Sequence, residues 1–350
     1  MRERLEAAWY APRLAPLATL LLPLSWLFAA VVALRRWLYR RGALRSARLP
    51  VPVVVIGNVT VGGTGKTPLV IALARALAER GRHPGIVSRG YGASGAAPRE
   101  VTAGAEPADV GDEPLLLAAA GAPVFVARDR AAAARALLAA HPACDVVLAD
   151  DGLQHYALAR DVEVVVVDGT RGFGNGRLLP SGPLREPASR ADAADAVVTL
   201  VADAPGHADG AAGGVTGGTA DGVAVGRRTT MTHVPVGLRN LVDPARAVDP
   251  AAWPRGSVHA VAGIGNPRRF FDLLARMGIE AVPHAFADHH AFEPGDLDFP
   301  GASAILMTAK DAVKCARFAD ARLYALDIRA VIDPALVALI LERIDGRQVA

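Results

Sequence analysis

Cysteine and lysine are nearly missing from this 350-residue chain. Its two cysteines, Cys144 and Cys315, cannot form a disulfide framework or a cysteine-based zinc centre by themselves, which points to a reducing compartment. Only three of its 38 basic residues are lysines, at positions 66, 310 and 314. Charged residues make up 21% of the chain and apolar residues 52%, which excludes a disordered or acidic-tail protein. The length suits two domains and excludes a small stapled module.

The net charge of +3 is unevenly placed. Residues 1–48 hold nine arginines against Glu3 and Glu6, so the rest of the chain is mildly acidic. An acidic body gives no footprint for nucleic acid, and none is expected as a partner. Leu14 to Leu34 is a run of 21 residues without a charge. As one helix it would reach about 31 Å, one hydrocarbon thickness. Trp9, Tyr10, Trp37 and Tyr39 bracket it, and six of the nine arginines follow it. Residues 1–48 are therefore expected to be a membrane-associating segment, spanning or interfacial, with the body on the cytoplasmic side. Pro16 and Pro23 argue against a straight span.

From Val51 onward, short apolar runs alternate with segments of helical period, as in α/β units around a mostly parallel sheet. Strands are expected at 53–56, 85–88, 124–127, 146–149, 162–167 and 197–201, with helices at 67–80 and 129–140. Residues 203–222 are Gly/Ala-rich and aperiodic, a surface excursion. Two β-like stretches follow, then strands at 257–262, 304–308 and 323–328 and helices at 267–277 and 334–344. The division is a nucleotide-binding domain over 49–222 and a smaller α/β lobe over 223–350.

The first strand runs into Thr60-Val61-Gly62-Gly63-Thr64-Gly65-Lys66-Thr67, a glycine loop opening a helix. Backbone N–H groups and the helix dipole at such a loop hold phosphate oxygens; Lys66 would bridge the outer phosphates of ATP and the Thr67 hydroxyl would bind Mg²⁺. The usual pattern has glycine where this chain has Thr60. A lysine directly after Gly65, in a chain that otherwise uses arginine, weighs against coincidence. At the end of a later apolar strand stand Asp150 and Asp151, in Asp150-Asp151-Gly152-Leu153-Gln154-His155. Adjacent carboxylates need a cation or donors, and beside a phosphate loop that cation is Mg²⁺.

Three further clusters are individually plain: Ser88-Arg89-Gly90-Tyr91-Gly92, Gly111-Asp112-Glu113-Pro114 and Asp288-His289-His290. A Gly/Pro loop over 173–187 adds Arg177 and Arg185, suited to an anion or simply irregular. In order, IGNVTVGGTGKTP, SRGYG, GDEPLLLA, DDGLQH, DGTRGFGNGRLLPSGPLREP, GIGNP, FADHH and TAKDAVK resemble the tetraacyldisaccharide 4'-kinase family of the lipid A pathway. The resemblance covers nearly the whole chain, and the incomplete glycine pattern is similar to that family's own loop. It implies a P-loop NTPase-like fold and transfer of the ATP γ-phosphate to the 4'-hydroxyl of an acylated glucosamine disaccharide 1-phosphate, forming lipid IVA at the cytoplasmic face of the bacterial inner membrane. It further implies that Asp112 and His289 activate the acceptor hydroxyl, with Tyr91, Arg130 and His155 as substrate contacts. No obligate protein partner is implied.

The competing expectation is a membrane-tethered regulatory P-loop ATPase or GTPase. Val61 stands where switch ATPases of the deviant loop type often carry lysine, and Thr308-Ala309-Lys310-Asp311 lacks the asparagine of a guanine motif.

Overall fold

The structure is a computed structural model and describes every residue except 1, 12, 93, 94, 96, 103, 202–227, 247 and 348–350. The Gly/Ala-rich stretch 203–222 therefore lies outside the described residues. The strands are β1 (Val53–Gly57), β2 (Pro84–Ser88), β3 (Arg99–Glu100), β4 (Val124–Val126), β5 (Val146–Asp150), β6 (Val162–Asp168), β7 (Ala196–Leu200), β8 (Arg228–Asn240), β9 (Val258–Ala262), β10 (Val282–Ala285), β11 (Ala304–Thr308) and β12 (Leu323–Ile332). The helices are α1 (Arg2–Trp9), α2 (Pro16–Leu20), α3 (Leu22–Arg40), α4 (Lys66–Ala78), α5 (Pro107–Val110), α6 (Asp112–Leu117), α7 (Arg130–Ala140), α8 (Ser189–Asp192), α9 (Pro267–Arg276), α10 (Ala309–Cys315) and α11 (Pro334–Asp345).

All the described strands join one sheet in the order β10-β9-β11-β12-β8-β7-β6-β1-β5-β2-β4-β3. Pairing is parallel except between β12 and β8 and between β3 and β4. The mostly parallel α/β sheet is thus the expected fold class. β1 sits centrally, between β5 and β6, and all five of its residues are buried. That double-sided burial is why Val53 to Ile56 reads as an unbroken apolar run. Val54 and Ile56 face one core with Leu69, Val70, Leu73 and Leu77 of α4, while Val53 and Val55 face another with Ala133, Ala134 and Leu137 of α7. α7 lies close because β2 carries Gly85, where a Cβ would come 2.5 Å from Leu137.

Beyond β8 the sheet serves a second pair of cores, around Leu274 and Leu306 on one face and Phe292 and Met307 on the other. The two β-like stretches form one 13-residue strand, β8, parallel to β7 and antiparallel to β12. This long pair links the two halves. The last helix returns to the first half: Asp333 caps α11 through the Ala335 N–H, and Leu336, Val337, Ile340 and Ile344 join the core of Val54 and Ile56.

The uncharged N-terminal run is not one helix. It breaks at Leu21, because Pro16 and Pro23 each occupy a first helical turn and a proline cannot continue the turn before it. α3 also takes in Arg35, Arg36 and Arg40. Among the described residues no helix is long and apolar enough to cross a membrane, so a single span across the full run is corrected to two shorter helices. Leu20, Leu24, Leu27, Val31 and Leu34 follow a three-four spacing and are all exposed. Ser25 is buried on the opposite face and donates to the Leu178 carbonyl at 2.8 Å. Trp9 Nε1 donates to the Pro180 carbonyl and Ser181 Oγ to the Ala18 carbonyl, so the helices rest on the loop 173–187.

Candidate active site

The phosphate-loop segment starts where β1 must end. At Gly57 a Cβ would stand 2.5 Å from that of Leu153, so only glycine lets the Asp-Asp-Gly turn pack against the strand. Gly65 has φ +85° and immediately precedes α4, which begins at Lys66. Thr60 is extended: it forms an antiparallel bridge with Leu184, the Val61 N–H donates to the Pro183 carbonyl, and the Arg185 N–H donates to the Val59 carbonyl. Glycine is dispensable at position 60 because a neighbouring strap of backbone holds it in a conformation open to any residue. Asn58 organises the interior of the loop, accepting from Lys66 Nζ at 3.2 Å and from Arg185 Nη2.

Asp150 ends β5 directly beside Ile56 of β1. It is 1% exposed, and Ser88 Oγ donates to its Oδ2 at 3.3 Å. Its Oδ1 is buried and accepts no hydrogen bond from the described residues. Burial first, then the charges of Glu113 and Asp151, push this carboxyl up to about 7, against the pull of Lys66 and Arg130. Asp151 has the opposite character. Its backbone is left-handed (φ 46°), and its carboxylate meets Arg185 at 3.0 and 3.2 Å and Lys66 at 3.4 Å. Burial works against its charge, but Lys66 and Arg185 outweigh it and hold the group below the usual carboxylate range. The two adjacent acids thus divide: Asp151 is paired with protein cations, whereas Asp150 keeps a buried oxygen unbonded.

A buried carboxylate oxygen left without a partner fits a hard cation with oxygen ligands. Among the described residues no cluster of three or more His, Cys, Asp or Glu side chains could hold a metal. A hard cation held at so sparse a site would need further oxygen ligands from phosphates and water.

The three individually plain motifs converge. Gly111 has φ +91° and no room for a Cβ, which would come 2.8 Å from the Tyr91 carbonyl oxygen. Asp112 follows as the first residue of α6, mostly buried. Its Oδ2 stands 3.3 Å from His289 Nδ1 and 3.9 Å from Lys314 Nζ. Burial pushes Asp112 up, but the hydrogen bond from His289 and the charges of Lys310 and Lys314 prevail and hold it below its ordinary value. His289 is also left-handed (φ 63°), and its N–H donates to the Gly263 carbonyl. The Tyr91 ring, itself exposed, lies 5.0 Å from the imidazole. Lys310 Nζ reaches Glu113 at 2.9 Å and His289 Nε2 at 3.3 Å. The cluster borders the phosphate loop: a Cβ on Gly265 would meet Gly63 N at 2.8 Å and Asp288 Oδ2 at 3.6 Å.

Arg130 and His155 lie on the other side of the acid pair. Arg130 is buried and donates to the Asp151 carbonyl at 2.8 Å. Burial, then Arg130, drives His155 down to about 4, and its Nε2 is 3.8 Å from Asp129. Gly63 to Pro68 line a cavity of about 980 Å³ that continues along Ile71, Phe270 and Leu326. A second cavity of about 900 Å³, between α1 and α9, is ringed by Arg13, Arg171, Arg177, Arg268, Arg269 and Arg276. Sequence reasoning missed Asn58, Ser88, Glu113, Lys310 and Lys314 as parts of the site. The scarcity of lysine was the available signal, since all three lysines gather here.

The sequence profile of the family described as tetraacyldisaccharide-1-P 4'-kinase matches residues 17–345. The chain is 52% identical over 346 residues to a tetraacyldisaccharide 4'-kinase of Chromobacterium violaceum, covering 97% of each. It is 51% identical over 330 residues to one of Azoarcus sp., covering 94% of this chain and 92% of the relative. Among solved structures it is similar to the "apo" form of LpxK from Aquifex aeolicus in complex with ATP, with a TM-score of 0.74 and 28% identity, covering 94% of this chain and 99% of the other.

Proposed function

The chain belongs to the tetraacyldisaccharide 4'-kinase family, an ATP-dependent lipid A pathway kinase that phosphorylates the 4'-hydroxyl of the acylated disaccharide 1-phosphate, and from that premise we propose how its residues divide the work. The backbone from Thr60 to Thr67, with Val61, Gly62, Gly63, Thr64 and Gly65 between, cradles the ATP phosphates. Lys66 neutralises charge that builds between the β and γ phosphates. Mg²⁺ would be held by Thr67 and Asp150, with Asp151 paired beside it, and would supply further neutralisation of the phosphate oxygens. Asp112 receives the proton of the 4'-hydroxyl. The sugar oxygen then forms its bond to the γ-phosphorus as the bond from that phosphorus to the bridging oxygen breaks and ADP leaves. His289 orients Asp112 and stabilises the proton it gains. Tyr91 offers an exposed ring to the sugar beside them, while Arg130 and His155 hold the Asp-Asp-Gly turn and the rim next to it.

The observation that carries this division is the meeting of Asp112 and His289, from opposite halves of the sheet, next to the phosphate loop. The exposed apolar stripe of α2 and α3 supports peripheral attachment to the cytoplasmic face of the inner membrane. Covering one such side chain contributes roughly 1.5–3 kcal/mol, so a row of them facing water is unfavourable and a row against lipid is not. The test is phosphorylation of purified tetraacyldisaccharide 1-phosphate by the purified protein, followed by thin-layer chromatography across an Mg²⁺ titration. Transfer from ATP that needs Mg²⁺ supports the division; transfer indifferent to Mg²⁺ removes Thr67 and Asp150 from it.

A further inference from the structure

Both ring nitrogens of His289 are engaged, and the two partners differ in kind. Nδ1 faces an acceptor, Asp112 Oδ2 at 3.3 Å, while the nearest partner of Nε2 is Lys310 Nζ at 3.3 Å, with Asp288 Oδ1 farther away at 3.9 Å. A lysine ammonium has three donors and no acceptor. The contact with Nε2 is therefore a hydrogen bond only when Nε2 offers its lone pair. The opposite tautomer would set an N–H against the ammonium hydrogens and a nitrogen lone pair against the Asp112 carboxylate; Asp288 Oδ1, 3.9 Å from Nε2, is beyond hydrogen-bond distance and is itself drawn to Lys310 at 3.7 Å.

We propose that Lys310 is a positioning residue that fixes the tautomer of His289, holding Nε2 as an acceptor so that Nδ1 carries the ring proton and donates it to Asp112. The ammonium is itself fixed. Glu113 Oε1 lies 2.9 Å away and Asp288 Oδ1 3.7 Å, and the Lys310 side chain is only 16% exposed. Burial alone would lower the basicity of Lys310, but Glu113, Asp112 and Asp288 outweigh it, so the group stays a cation. The backbone supports the same geometry. Asp311 is fully buried and accepts from the Gly263 N–H at 3.0 Å, and the Gly263 carbonyl in turn receives the His289 N–H.

The consequence is an assignment of roles. With Nε2 occupied by Lys310 and Nδ1 by Asp112, the imidazole has no free nitrogen for the sugar. The acceptor hydroxyl meets Asp112, whose two oxygens each keep a lone pair beyond those taken by His289 and the Glu113 N–H. Asp112 and Glu113 lie on α6 and Lys310 on α10, so the pairs that set the tautomer also tie the two halves of the sheet together. The inference rests on the Asp112 and His289 roles given above, but its direct readout does not require turnover.

The experiment is a long-range ¹H–¹⁵N correlation spectrum of full-length protein labelled with ¹⁵N-histidine, recorded at neutral pH without substrate. A spectrum of His289→Gln picks out the His289 signals from those of the nine histidines. The expected result is a protonated Nδ1 and an unprotonated Nε2. In Lys310→Met the signals should move towards protonated Nε2, and kcat should fall about tenfold or more at unchanged KM for ATP, a part of the usual general-base contribution. Lys310→Arg keeps a donor-only group and should retain the wild-type tautomer. A protonated Nε2 in the wild-type protein overturns the proposal whatever the variants do. So does a folded Lys310→Met protein whose tautomer and kcat are both unchanged. Failure of the wild-type protein to phosphorylate the disaccharide would count against the acceptor assignment and leave the tautomer standing.

Discussion

His289 Nδ1 and Asp112 Oδ2 lie 3.3 Å apart, although one residue belongs to the loop after β10 and the other opens α6. A sugar hydroxyl is a weak nucleophile at neutral pH, and a positioned base contributes roughly 10²–10⁴-fold. If the two residues share that step, removing either forfeits most of it. Asp112→Ala, His289→Ala and the double variant should therefore show kcat losses that are clearly sub-additive in free energy, with KM for ATP retained. Fully multiplicative losses in steady-state kinetics would mean that the residues act separately.

Lys66 pairs with Asp151 at 3.4 Å, but Arg185 reaches that carboxylate as well, so removing the lysine does not strand the acid. Lys66→Ala is expected to lower phosphoryl transfer by at least about 10²-fold, with the melting temperature little changed. Near-normal turnover would remove the nucleotide role assigned to this lysine.

Asp150 gives a pH prediction of definite sign. Its carboxyl is raised from 3.8 to about 7 in the folded protein, chiefly by burial, so the folded state binds a proton that the unfolded state releases. This group favours folding below the lower value, and the contribution is lost as pH rises through the upper one. In metal-free buffer Asp150→Asn should melt above wild type at pH 8, with the difference shrinking towards pH 4. A gap that is constant across this range in thermal denaturation would show that the carboxyl is ionised normally. The same variant is expected to lose or shift its Mg²⁺ dependence in the transfer assay.

The proposed lipid contact of the exposed apolar stripe can be tested without deleting the N-terminal helices, whose Trp9 and Ser25 contacts support the 173–187 loop. Replacing Leu20, Leu24 and Leu27 together by Ser should reduce co-sedimentation with vesicles containing anionic lipid. Activity on a short-chain soluble acceptor should persist. Equal recovery of the variant and wild type in the vesicle pellet would contradict the attachment.

Much of the nucleotide half was legible because its signals are local. β1, β5 and β6 are buried apolar runs, and the loop before α4 carries its own glycines and lysine. β10 was invisible: Val-Pro-His-Ala at the sheet edge is mostly exposed and shows no apolar pattern. The break at Leu21 was foreshadowed by Pro23, whereas the return of α11 to the first core depends on tertiary packing that no local period records. Asp112 and His289 were named through family likeness. Their meeting, and the Lys310 contact behind it, depend on β8 and β12 bringing the two halves together.

The gathering of Lys66, Lys310 and Lys314 has a practical consequence for labelling chemistry. Their side chains are only 12%, 16% and 10% exposed, each held by a carboxylate. An amine-reactive probe added to the native protein therefore reaches the three ε-amines only as these ion pairs open. All three lysines lie at the cleft, so the extent of lysine modification reports directly how often these ion pairs open and how well a bound nucleotide shields them.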